Sequence, residues 1–76
     1  MDKGGYKMLI KLNKRNFDNA MAKKLFNPTD LAKQAGLSDA TIGCIIKDNG
    51  FKSHNALGRV AKALEVEPIE LIQDED

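Results

Sequence analysis

From Phe17 onward, apolar residues recur at helical rather than alternating spacing. Phe17, Ala20, Met21 and Leu25 fall at i, i+3, i+4 and i+8, one face of a first helix that Asn13 caps. Asn27-Pro28 restarts the chain, since Asn27 can cap and Pro28 suits the first helical position, where its missing N–H would be unpaired anyway. A second helix then runs to about Ala35 with Leu31, Ala32 and Ala35 inward, and Gly36 ends it in the left-handed conformation. Ser38 caps a third helix from Asp39 to about Lys47 that buries Ile42 and Ile45. KDNGFKS, residues 47–53, reads as a loop. Ser53 or Asn55 caps a fourth helix carrying Leu57, Val60, Ala61 and Leu64, and Pro68 opens a short fifth with Ile69, Leu71 and Ile72. Upstream, MLIKLN over residues 8–13 alternates well enough for one short strand, with Leu9, Ile10 and Leu12 covering the core, and a strand needs a partner.

The pattern predicts an all-α domain of five short helices with one short N-terminal strand. Its 76 residues suffice for a single small core. The domain spans residues 8–73, between a lead-in over 1–7 and an acidic tail over 74–76. Cys44 is the single cysteine, so no internal disulfide forms, and a reducing cytoplasm is the expected compartment. No apolar run approaches the ~20 residues of a membrane span. MDKGGYK lacks the apolar core of a signal peptide.

Charge adds a direction to this picture. Net charge is +1, but residues 1–24 carry a balance of +5, residues 25–62 of +2 and residues 63–76 of −6. A basic front and an acidic end suit an anionic partner on one side, although a solvated gradient that serves solubility gives the same pattern.

Helices two and three are joined by about three residues around Gly36, which forces a steep crossing. The third helix is then held by one apolar edge, and its other edge, with Asp39, Ala40, Gly43, Cys44 and Lys47, is free. Such a helix fits the ~12 Å width of a DNA major groove.

LAKQAGLSDATIGCI, residues 31–45, resembles the helix-turn-helix of Cro/repressor-type (XRE family) regulators of bacteria and phage, at Leu31-Ala32, Gly36, Ser38, Thr41-Ile42 and Ile45. LGRVAKALEVEPIELI, residues 57–72, is similar to that family's fourth and fifth helices. The resemblance implies a lambda-repressor-like fold and a nucleoid-associated, sequence-specific regulator of transcription, a repressor that binds double-stranded DNA as a homodimer. It implies that Asp39, Ala40, Gly43 and Cys44 face base edges, with Lys47 near the DNA backbone and Ser38 and Thr41 among the DNA-binding residues. Asn27 and Thr29 on one side, and Asn49, Lys52, Ser53, His54 and Asn55 on the other, would contact phosphates. The reading face is poor in Gln, Asn and Arg, the usual bidentate readers. That feature keeps a second class open: a protein-interaction module of the same fold, such as an antitoxin bound to its toxin.

Cys44 and His54 invite a catalytic or metal-binding reading, but no third ligand is spaced to help. The expectation is therefore a non-enzyme with no cofactor and no metal. Lys23, Lys24 and Lys33 read as solvated charge.

Overall fold

Polar side chains set where each helix begins in the computed structural model, which describes residues 9–73. The lead-in, Met8 and the acidic tail lie outside the described residues. Asn13 starts α1 (Lys14–Lys24), accepting at Oδ1 from the Asn16 amide at 3.1 Å. Asn27 starts α2 (Pro28–Ala35) through a reciprocal cap: it accepts from the Asp30 amide at 2.8 Å, and Asp30 accepts from the Asn27 amide at 3.1 Å. Ser38 caps α3 (Asp39–Asp48) by accepting from the Thr41 amide at 3.0 Å. Ser53, rather than Asn55, caps α4 (His54–Leu64), accepting from the Ala56 amide at 3.1 Å.

Three helices end in one way. The chain turns left-handed at Leu25, Gly36 and Glu65, as it also does at Asn49 after α3. The amides of Phe26, Leu37 and Val66, the residues that follow, then donate back to the carbonyls of Met21, Ala32 and Ala61. This Schellman geometry places an apolar residue just past the helix, and Phe26, Leu37 and Val66 all pack against the core.

It also corrects the inward placement of Leu25. The residue fits the helical period, but the helix stops one residue earlier, and the left-handed turn leaves Leu25 88% exposed while Phe26 turns inward. The core otherwise contains the expected faces: Phe17, Ala20 and Met21; Leu31, Ala32 and Ala35; Ile42 and Ile45; Leu57, Val60, Ala61 and Leu64.

The short strand finds its partner in the segment expected to be a loop. β1 (Ile10–Lys11) pairs antiparallel with β2 (Gly50–Phe51), in the register Ile10 to Phe51 and Lys11 to Gly50. A Cβ on Gly50 would sit 2.8 Å from Leu9 Cγ and 2.9 Å from the Ile10 carbonyl oxygen, so only glycine lets the strands approach this closely. Phe51 is fully buried, and Leu12 beside it bridges to Ile72 on the other side. Leu9 remains largely exposed at the strand's start.

Among the described residues four α-helices form, not five. From Pro68 the chain makes a single 3-10 turn, Pro68–Leu71, that buries Leu71 and leaves Ile69 69% exposed. Four residues are too few for a stable α-helix, and the segment is held instead by its neighbours. The Asn13 amide donates to the Leu71 carbonyl at 2.8 Å, and Asn16 Nδ2 donates to the Glu70 carbonyl at 2.8 Å. The fold is mostly helical with one small sheet, and among the described residues no helix is long and apolar enough to cross a membrane.

Candidate anion-binding groove

The residues expected to contact DNA separate onto two surfaces. Asp39, Ala40, Gly43, Cys44 and Lys47 share the exposed edge of α3, as their spacing requires. Thr41 and Cys44 also line a small cleft of about 110 Å3 with Lys52 and Ser53. Several of these side chains are already engaged. Asn27, Ser38 and Ser53 hold helix caps, and the Ser38 and Thr41 hydroxyls lie 2.9 Å apart. Lys52 Nζ lies 3.8 Å from the Asp48 carboxylate. Asn49 serves as the left-handed end of α3, and Thr29 is exposed in the first turn of α2. His54 and Asn55 face another way, along α4 toward Arg59.

A larger depression than the Thr41–Cys44 cleft begins at Arg59 and runs away from His54 and Asn55. The ends of α1 and α2 and the exposed side of α4 enclose a groove of about 480 Å3 lined by Lys24, Phe26, Lys33, Gly36, Arg59 and Lys62, with Glu65 at its rim. Four cations thus face one carboxylate. Lys24 is the neutralised one: its Nζ lies 3.1 Å from Glu65 Oε2 and 5.8 Å from the centre of the Phe26 ring, a combined ion pair and cation–π contact. Lys33, Arg59 and Lys62 have no carboxylate partner among the described residues.

Arg59 is the most constrained of the three. Its Nε donates to Asn55 Oδ1 at 2.8 Å, one helical turn back. Its Nη1 donates to the Ala35 carbonyl at 3.4 Å, one of the orphan acceptors at the end of α2. Both acceptors are neutral, so the guanidinium is oriented without losing its charge. Gly36 eases this approach: at φ +72°, a Cβ there would lie a tight 3.1 Å from Arg59 Nη1. An oriented guanidinium flanked by two lysines suits a tetrahedral oxyanion, which it can bind bidentately.

Sequence reasoning missed this groove. Lys24, Lys33 and the Arg59–Lys62 pair come from three helices, and only the fold brings them to one place. The Gly36–Arg59 juxtaposition has no local signature either.

No family model and no curated protein matches the chain. Solved structures do. Native PhpD with cadmium atoms is similar at a TM-score of 0.70 and 21% identity, over 88% of this chain and 14% of that one. PhpD with cadmium complexed with hydroethylphosphonate is similar at 0.69, with the same identity and coverage. A mutant of hydroxyethylphosphonate dioxygenase is similar at 0.70, again at 21% identity over 88% of this chain and 14% of that one. At this identity the likeness is one of fold, and the chain spans about one seventh of the length of these neighbours.

Two expectations are corrected by this finding. The chain was expected to be a DNA-binding regulator of transcription or an antitoxin-like module, and to stand apart from enzymes. Its fold instead recurs inside a dioxygenase, so a short α2–α3 connection with an exposed α3 does not by itself specify a repressor. Among the described residues, no group of three or more His, Cys, Asp or Glu side chains could hold a metal ion, and Cys44 and His54 lie on different surfaces.

Proposed function

We propose that this chain is an oxyanion-binding helical module of an enzyme, which takes a phosphonate or phosphate group in the groove between α1, α2 and α4. The observation that carries the reading is Arg59, oriented by Asn55 and the Ala35 carbonyl and left without a carboxylate. Its Nη2 has no acceptor among the described residues, so one edge of the fork is open to a ligand oxygen. Lys33 and Lys62 supply flanking charge, while Glu65 holds Lys24 over Phe26 at the rim. The PhpD neighbour is described as complexed with hydroethylphosphonate, a ligand of this class. In this reading the module's task is to bind and orient the anionic group. The helix order and the tight connection at Gly36 support, as part of the same reading, a lambda-repressor-like architecture.

Calorimetric titration of the full chain with hydroxyethylphosphonate and with inorganic phosphate tests the proposal. Saturable binding is expected for both. Arg59→Ala should weaken it by about tenfold or more, since a charge-assisted hydrogen bond contributes roughly 1.5–3 kcal/mol and tenfold corresponds to about 1.4. Arg59→Lys should restore part of the affinity, because charge returns without the fork. Absence of saturable heat, or an Arg59→Ala variant that binds like the parent, would overturn the reading.

A further inference from the structure

The groove does not end at Arg59. Arg59 and Lys62 also line a second, shallower cleft of about 380 Å3 that continues along α4 past Gly58 to Asn55 and His54. Gly58 leaves this stretch of the helix bare, and a Cβ built there would meet nothing within 4 Å. The guanidinium of Arg59 stands at the junction, fixed from one side by Asn55 and from the other by Ala35. Lys33 belongs to the first depression alone and His54 to the second alone.

Size and charge both exceed what one phosphoryl group requires. A volume of about 480 Å3 lies in the range of sites for whole organic ligands, and the adjoining cleft extends it. A phosphate monoester carries about −1.5 to −2 near neutrality. Against it stand three cations without carboxylate partners among the described residues, Lys33, Arg59 and Lys62. A diphosphate carries about one more negative charge than a monoester and so matches this set.

Building on the oxyanion reading, we propose that the ligand carries two linked phosphoryl groups. One sits between Lys33, Arg59 and Lys62, and the other in the cleft beside His54 and Asn55, with Arg59 donating to both. Asn55 Nδ2 and an imidazole N–H of His54 are the donors available to the second group.

The test compares inorganic phosphate, pyrophosphate and citrate by calorimetry on the full chain at constant ionic strength. Citrate is a multiply charged anion without phosphoryl groups. Pyrophosphate should bind about tenfold or more tighter than phosphate, and citrate should show no such gain. His54→Ala should remove most of the pyrophosphate advantage while leaving phosphate unchanged, and Lys33→Ala should weaken both. Circular dichroism of each variant confirms that the fold is intact. Equal affinity for phosphate and pyrophosphate would overturn the two-site proposal and leave the oxyanion reading standing. So would a citrate gain as large as that of pyrophosphate, or an unchanged ratio in His54→Ala. If neither phosphate nor pyrophosphate binds, both proposals fall together.

Discussion

Replacing Gly36 by alanine perturbs the fold and the groove through one methyl group. At φ +72° the backbone is left-handed, a conformation that costs an L side chain about 1–2 kcal/mol. Part of this is offset, because alanine restricts the unfolded chain more than glycine does, by about 0.4–1 kcal/mol. The new Cβ also lies 3.1 Å from Arg59 Nη1, which must yield by a few tenths of an ångström. That atom is the far end of a flexible side chain, so it can move, and the 3.4 Å bond to the Ala35 carbonyl is the contact that lengthens. A net loss of about 1 kcal/mol follows, which for a domain of this size lowers the melting temperature by roughly 4–8 °C. Urea denaturation followed by circular dichroism measures the first effect, and phosphate titration of the folded variant measures the second. Phosphate affinity should fall several-fold, because Arg59 is less well oriented. An unchanged urea midpoint would refute the strain argument. Reduced stability with full phosphate affinity would show that the Gly36–Arg59 approach does not orient the site.

Three further substitutions separate local causes. Leu25→Asn should stabilise by about 0.5–1 kcal/mol, because asparagine tolerates the left-handed turn and the leucine is almost fully exposed; a lower urea midpoint would contradict this. Asn27→Ala removes the side-chain half of the cap on α2, leaving the bond from its own amide to Asp30, and should cost about 1 kcal/mol in the same assay, whereas no change would mean that water replaces the lost acceptor. Glu65→Gln frees Lys24 for a ligand and should tighten phosphate binding a few-fold with little change in stability, since exposed ion pairs contribute roughly 0–1 kcal/mol; weaker binding would place Lys24 outside the site.

The extent to which the molecule is legible in its sequence differs by element, for physical reasons. Asn27-Pro28, Gly36 and Ser38 mark α2 and α3 correctly because capping is local chemistry that acts within four residues. Leu25 misleads because a helical period cannot show that the helix has stopped, and the apolar Phe26 that follows is the better signal. Gly50-Phe51 is too short for any alternation, and its burial depends on Ile10, far away in the chain. The turn at Pro68 has apolar residues in helical spacing but only four residues in which to use them.

Function is less legible than fold. The exposed edge of α3 is visible in the spacing, but a shape does not name its ligand, and solved structures place the same fold inside an enzyme. The groove is invisible until α1, α2 and α4 are packed together, because Lys24, Lys33, Arg59 and Lys62 are individually ordinary surface cations.

Amide chemical-shift mapping tests the central claim most directly. Titration of the labelled chain with hydroxyethylphosphonate or phosphate should shift the amides of Lys33, Gly36, Arg59 and Lys62 along one saturable curve, with Asp39, Ala40 and Gly43 on α3 unmoved. A silent groove would contradict the account, and so would a random DNA duplex that instead moves the α3 edge at lower concentration.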